Sequence, residues 1–319
     1  MNDKITDSFI NEIKKKTDHS SYNMVQEILP LNKEAIYRRL TNKVAFTYVE
    51  AVKIAQKLNI SLDQINNISI GGHLFKIDES LDLLPEEGHL KSLIYSDVSL
   101  SEYLNEENVH MYSVQSTVPR VFILNYKNLS RLKYYKWMHE SSNLSFSKMM
   151  LDKILLSEEA NLKKQDDTLV KLLRHISSHF IVADVIFENI IKDVKYFAGL
   201  GFVNDDDLVV LKKELLALID EFENIVSLGQ FENGGAFSVY LSDVHIDSNF
   251  GFVHTDSSEL VFNRFCGMNY GLSKSQELFD IYKHSFDQLK SYTTLISQTS
   301  SSKRIAFFNK QRDFVEKNL

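Results

Sequence analysis

Only three prolines and eleven glycines are spread through the 319 residues of this chain. Each proline or interior glycine is a place where a helix ends, kinks or weakens. So few of them predict long helices rather than a loop-rich all-β fold. The length sets a prior of about two domains. With 44% hydrophobic and 25% charged residues the chain has ordinary globular usage, which excludes a mostly disordered chain, a collagen-like fibre and a disulfide-built mini-protein. The single cysteine, Cys266, excludes an internal disulfide and any multi-cysteine zinc site. No run reaches the roughly 18 apolar residues of a membrane span. The opening Met1-Asn2-Asp3-Lys4-Ile5 lacks an apolar signal-peptide core. The expectation is a soluble, cytoplasmic protein with no membrane partner.

The formal net charge of −7 hides an asymmetry. Residues 1–68 carry ten Lys and Arg against eight Asp and Glu, while the remainder carries 26 against 35. The whole chain cannot coat DNA through bulk charge. A locally basic N-terminal unit still can, because phosphate attraction is short-ranged and screened by salt.

Periodicity divides the chain further. Residues 1–68 read as five short helices. Ile5, Phe9 and Ile13 form one stripe of the first. Ser20 or Ser21 caps a second, which Pro30 stops. Asn32 is a good N-cap for a third over 33–41. Thr47 caps a fourth, with Glu50 at the capping-box spacing and Ala51, Ile54, Ala55 and Leu58 on its apolar side. Ser61 starts a short fifth. Around Gly71-Gly72 the composition shifts from basic to acidic, which predicts a linker over 69–78 between a domain of residues 1–68 and a larger one of 79–319.

The larger part reads as helix-dominated α+β. Helices are expected over 89–105, 128–140, 146–164, 169–200 and 205–228, the last with Asp205-Asp206-Asp207 as an acidic first turn. Residues 109–118 and 121–125 read as extended around Pro119. Near 236–266 the period changes to two, as in Phe237, Val239 and Leu241, and three strands predict a small antiparallel meander. A long helix through Leu278, Leu289 and Ile296 and a final one over 303–317 close the chain.

The stretch Val25-Gln26-Glu27-Ile28-Leu29-Pro30-Leu31-Asn32-Lys33-Glu34-Ala35-Ile36-Tyr37-Arg38-Arg39-Leu40-Thr41-Asn42-Lys43, continued to Leu58-Asn59-Ile60-Ser61-Leu62 and Ile65, resembles the helix-turn-helix of the lambda-repressor-like Cro/C1 (Xre) transcription regulators. The resemblance covers residues 5–66. It implies a five-helix DNA-binding domain whose second corner helix enters the major groove N-terminus first. Leu31 and Ile36 stand where the corner needs apolar wedges. Gln26 stands at a position usually held by alanine, Pro30 at the turn glycine, Arg39 where an apolar residue is usual, and Asn42 at the glycine after the recognition helix; asparagine tolerates the left-handed conformation.

By carry-over, the DNA-binding residues are Asn32, Lys33 and Glu34 at the start of the recognition helix, with Tyr37 and Arg38 one turn on. Arg38 suits a bidentate contact to guanine, and Tyr37 a thymine methyl or a phosphate. Thr41, Asn42 and Lys43 follow towards phosphates, and the Tyr48 hydroxyl sits at the next helix N-terminus. Tyr37 is otherwise a core aromatic, Arg39 a surface ion pair, and Lys14-Lys15-Lys16 a favourable charge at a helix end.

The second domain offers weaker sets. His175 and His179 stand four apart, as two metal ligands on one helix face would. Asp243, His245 and Asp247, with His254 and Asp256, can chelate a cation or simply occupy hairpin turns. Tyr126, Tyr134, Tyr135 and Trp137 interleave with Lys127, Arg131, Lys133 and Lys136, which suits a nucleotide, a peptide or single-stranded nucleic acid, or else an amphipathic helix with aromatics inside. The hydroxyl-rich 297–304 segment with Lys303, Arg304 and Arg312 suits an anion or a plain helix cap. Neither Gly199-Leu200-Gly201 nor Gly234-Gly235 makes a phosphate loop, no cofactor or metal is expected, and Cys266 reads as a small core residue. The favoured function is a sequence-specific, double-stranded DNA-binding transcription regulator, a homodimer without enzymatic activity whose second domain dimerises or senses an unidentified effector. The alternative is a nucleotide- or phosphoester-processing effector enzyme that carries a DNA-targeting module.

Overall fold

A computed structural model describes residues 4–17, 21–58, 60–62, 65, 101, 103–141, 147–247, 249–265 and 269–319. The chain splits into two compact units, Met1–His73 and Leu74–Leu319. The expected linker over 69–78, most of the expected helix over 89–105 and Cys266 lie outside the described residues.

The first unit is helical: α1 (Lys4–Lys16), α2 (Ser21–Ile28), α3 (Lys33–Leu40) and α4 (Tyr48–Leu58). The fifth helix expected from Ser61 lies largely outside the described residues. One small core joins the four helices through Phe9 and Ile13 of α1, Val25 and Leu29 around the end of α2, Ile36 of α3 and Ile54 and Ala55 of α4. Phe9 meets Phe46 edge to face at 5.6 Å. Pro30 follows α2, and Asn32 Oδ1 accepts from the Ala35 amide at 2.9 Å, so the corner between α2 and α3 is closed by a side-chain cap. Asn42 takes φ 53° just past α3, as the left-handed position requires.

The second unit is built on a mixed seven-stranded sheet, ordered β6-β5-β4-β1-β2-β3-β7 among the described residues. Its strands are β1 (His110–Gln115), β2 (Ser177–Val182), β3 (Phe237–Ser242), β4 (Phe250–His254), β5 (Glu259–Phe265), β6 (Asn269–Ser273) and β7 (Thr293–Leu295). The centre, β1-β2-β3, is parallel, and the flanks are antiparallel. Parallel neighbours need long crossovers. The crossovers here are α5 (Arg120–Ile123), α6 (Lys127–Ser141) and α7 (Lys148–Leu173) from β1 to β2, and α8 (Glu188–Gly199) and α9 (Asp205–Leu228) from β2 to β3. α10 (Gln276–Lys290) leads from β6 to β7, and α11 (Ser301–Asn318) follows β7.

Alternation along the strands assigns the faces. Tyr112 of β1 and Phe252 of β4 point to one side, where Phe279 and Phe286 of α10 meet them. Phe237 of β3 points to the other, into a cluster with Phe122 of α5, Phe180, Phe222 of α9 and Phe231. The result is helix, sheet, helix in three layers. A buried polar knot ties the crossover helices together. Arg120 of α5 pairs with Asp166 of α7 at 3.1 Å, and the Tyr134 hydroxyl of α6 donates to the other Asp166 oxygen at 2.7 Å. Gly251 lies against the Tyr112 carbonyl and the Phe262 ring, so any side chain there must push a strand aside.

Four expectations need correcting. The three strands near 236–266 are not a meander: β4 and β5 are a hairpin, but β1 and β2 separate β3 from β4. Residues 169–200 are not one helix. α7 ends at Leu173, and β2, the middle one of the three parallel strands, follows. A short apolar run such as Phe180-Ile181-Val182 fits a buried strand as well as a helix turn, and only pairing with β1 and β3 decides it. Residues 120–123 form a helical turn after Pro119, not a strand. The helix through Leu278 stops at Lys290 with Ser291 as its cap, and Ile296 is buried beyond β7 instead. No helix among the described residues is long and apolar enough to cross a membrane.

Phe237 is 1% exposed and touches four other phenylalanines. Phe237→Ala is expected to lower the unfolding free energy of the second unit by about 3–5 kcal/mol. Chemical denaturation followed by circular dichroism reads this, and a loss under about 1 kcal/mol would contradict the packing described.

Candidate nucleic-acid interface

The roll of α3 about its own axis decides which residues of the corner meet solvent. Ile36 is fully buried and Leu40 packs partly against the same core, so the 36/40 side faces inward. Arg39 is drawn inward as well. Its Nε and one terminal nitrogen each donate to a Glu50 carboxylate oxygen at 2.9 Å, and its other terminal nitrogen reaches the Ala35 carbonyl at 3.3 Å. Both side chains are largely withdrawn from water. Glu50 serves α4 at the same time: the Thr47 amide donates to it at 2.8 Å, and the Glu50 amide donates to Thr47 Oγ1 at 3.3 Å. Burial pushes the Glu50 carboxyl up, but the hydrogen bonds from Arg39 and Thr47 outweigh that and hold it below the usual glutamate range.

With those residues turned in, Lys33, Glu34, Tyr37, Arg38 and Thr41 are exposed together along the outer face of α3. Glu34, Tyr37, Arg38 and Thr41 follow the three- and four-residue spacing of one helix side. Tyr37 is 57% exposed, so it is not the core aromatic that was the other option for it. Lys43 Nζ lies 5.7 Å from the Tyr37 ring centre, a cation–π contact. Neither Lys33, Arg38 nor Lys43 has an ion-pair partner among the described residues. Thr41 Oγ1 donates to the Tyr37 carbonyl at 2.8 Å. Asn32 and Asn42 are partly committed: Asn32 caps α3, and Asn42 Nδ2 donates to Asp7 of α1 at 2.6 Å. Tyr48 is exposed at the first position of α4. The Glu50 carboxylate occupies the same N-terminal turn, so a phosphate there would meet the Tyr48 hydroxyl rather than a vacant set of amides.

The pairing of Arg39 with Glu50 was the feature hardest to find from sequence. Its two signals were an arginine at an apolar register and a glutamate at a capping position. Gln26, a further departure, is exposed on α2, so no packing requirement acts on it.

The histidine, aspartate and 297–304 candidates of the second unit do not gather into a comparable site. His179 lies on β2, half-buried, with its ring stacked on Tyr112 at 4.8 Å. Burial, and then the charges of His110 and Lys290, push its pKa down to about 4. His175 is exposed in the turn before β2, so the two are not one helix face. Asp243 is paired with Lys303 at 2.6 Å, His245 and Asp247 are almost fully exposed, His254 pairs with Glu259, and Asp256 accepts from Asn108. No group of three metal-ligating side chains occurs among the described residues. Around 297–304 the cations are answered within the chain: Lys303 by Asp243, Arg304 by the Ile296 and Thr299 carbonyls, Arg312 by Asp220 and Glu223. Tyr134, Tyr135 and Trp137 are buried, while Lys133 and Lys136 of the same helix are half-buried rather than out in solvent.

No protein-family model, no curated protein and no solved structure matches this chain.

The Arg39–Glu50 pair gives a pH-dependent expectation. Glu50 is held below its unfolded value, so the pair's contribution is present above about pH 4.3 and is lost as pH falls through the folded value. Arg39→Ala is expected to weaken the first unit by about 1–3 kcal/mol at neutral pH. The difference from wild type should shrink as the solution is acidified below about pH 4. Amide exchange of α3 and α4 in the full chain reads both, and a difference that stays constant on acidification would contradict the pairing.

Proposed function

We propose that the first unit is a lambda-repressor-like DNA-binding domain and that the chain is a transcription regulator which reads duplex DNA with α3 in the major groove. The observation that carries this reading is the sorting of residues around α3. Ile36, Leu40 and Arg39 are held inside, and Lys33, Glu34, Tyr37 and Arg38 stand outside with Lys43 beside them. A helix that buries one side and presents cations, an aromatic hydroxyl and a carboxylate on the other suits both tasks of a recognition helix. Base edges are read by Arg38, which can span guanine O6 and N7, and by Glu34, which can accept from cytosine N4. Register comes from phosphate contacts by Lys33, Thr41, Lys43 and the Tyr48 hydroxyl.

A single module of this size covers little DNA, and helix-turn-helix proteins commonly read two half-sites as a dimer. The proposal therefore includes a homodimer and a two-fold symmetric site, with dimerisation or effector sensing assigned to residues 79–319. A cytoplasmic location goes with it.

The test is selection of bound sequences from random duplex DNA by the full chain, repeated with Lys33→Ala combined with Arg38→Ala. An enriched site that disappears in the double variant is the expected result. No enrichment at low salt by the folded chain would sink the proposal. A finer expectation separates the roles. Lys43→Ala should weaken binding evenly across sequences and reduce the slope of log affinity against log salt by about one. Arg38→Ala should relax the preference at one base position by about 1–3 kcal/mol. Equal effects of the two on sequence preference would contradict the division into base and phosphate contacts.

A further inference from the structure

α6 carries Lys133, Lys136, Trp137 and Glu140 on one side, at the spacing of successive helical turns. They line a cavity of about 260 Å³ just past the carboxyl end of β1. Asn189 and Asp193 of α8 form a second wall, and Asn249 with Arg264 of β5 a third. The position is informative in itself. The chain runs from β1 outward to β2 and β3, then returns to the other side of β1 to make β4. A crevice beyond the strand ends, where the order reverses, is where open α/β sheets bind ligands.

The charges in this cavity are not balanced. Lys136 is answered inside the protein, by both Asp193 oxygens at 2.8 and 2.9 Å and by Glu140 at 3.7 Å. Among the described residues, Lys133 and Arg264 have no carboxylate at ion-pair distance. Arg264 donates to the Thr117 hydroxyl at 3.0 Å and to the Gln115 side-chain oxygen at 3.3 Å, both neutral. Burial first, and then the positive charges of Arg264 and Lys136, hold the Lys133 amine well below the usual lysine range. Charging Lys133 beside Arg264 and Lys136 is unfavourable until an anion joins them, so an anion there would pair with Arg264 and favour the protonated amine of Lys133. The rest of the lining is largely apolar, with Val118, Leu132, Ile190 and Trp137 among it.

We propose that this cavity binds a small organic oxyanion, a carboxylate or phosphate on a compact apolar body, with Lys133 and Arg264 holding the charged group and the Trp137 side covering the body. Arginine supplies a planar fork for two oxygens, and lysine adds a point charge. The volume is below the roughly 300–1,000 Å³ of pockets for drug-sized ligands, which points to a ligand of about one ring. The proposal concerns the second unit alone and does not rest on DNA binding.

Trp137 is the chain's only tryptophan and lines the cavity, so its emission reports on the site directly. The full chain is titrated with benzoate, with phenyl phosphate and, as the neutral counterpart, with benzamide, in the absence of DNA. The expected result is a saturable change in emission with benzoate or phenyl phosphate and none with benzamide at equal concentration. Whichever anion binds more tightly identifies the charged group. Affinity should fall about tenfold or more in Lys133→Met and in Arg264→Gln. Lys133→Met replaces a buried amine that has no carboxylate at ion-pair distance by an apolar chain of similar reach, so its melting temperature should equal or exceed that of wild type, and its lost titration then reports on the site rather than on the fold. A response to no anion, an equal response to benzamide, unchanged affinity in both variants, or a lower melting temperature for Lys133→Met would each overturn the proposal.

Discussion

Arg39 and Glu50 meet through two hydrogen bonds of equal length, with side chains only 14% and 15% exposed. As a source of net stability such a pair is weak, because desolvation offsets most of the attraction. As a constraint on geometry it is strong, since a forked arginine accepts a carboxylate in few orientations. It holds α3 to the N-terminal turn of α4 and, with Ile36 beneath, fixes the roll of α3. A turn of one residue is about 100°. Such a turn would put Arg39 into solvent and Tyr37 towards the core, and the outer face would lose its present set. Glu50 links two events that are separate in sequence, the capping of α4 and the presentation of α3.

Helix roll matters in the second unit too, although there the sheet sets it. α6 turns its aromatics inward and lines the cavity with Lys133 and Lys136, and the Arg120–Asp166–Tyr134 knot fastens it to α5 and α7. The Phe237 cluster beneath is apolar and tightly packed, whereas the space at the end of β1 keeps polar and charged side chains. A core that had no other task would fill that space with apolar groups. Retaining Lys133 and Arg264 there carries a cost in stability, and a binding site is the setting in which such costs are commonly met.

Much of the first unit was legible in the sequence because its signals are local. Asn32 as a cap, Thr47 with Glu50 as a capping box, and Asn42 in a left-handed turn depend on a few neighbouring residues. The inward side of α3 was harder. Arg39 violates the apolar pattern, and only a partner eleven residues away turns it inward. In the second unit helix α9, with Asn204 and Asp207 closing its start and Gly229 its end, follows the same local logic. The sheet does not. β2 is six residues long and lies between helices, and its nature is decided by β1 and β3, which are far away in sequence. Strand order is non-local for the same reason, so β3 looked like a partner of β4 when two strands separate them. The cavity was half legible: Lys133, Lys136 and Trp137 stood out as a cluster, but Arg264 reaches them only through the fold.

The central claim is that the outer face of α3 is the surface that meets DNA. Amide hydrogen exchange of the full chain, with and without the enriched duplex, tests it at residue level. The account predicts new protection over residues 32–43 and at the start of α4, with the outer residues Lys33, Tyr37 and Arg38 at its centre. Protection confined to other helices, or none on α3 while the duplex is bound, would contradict it.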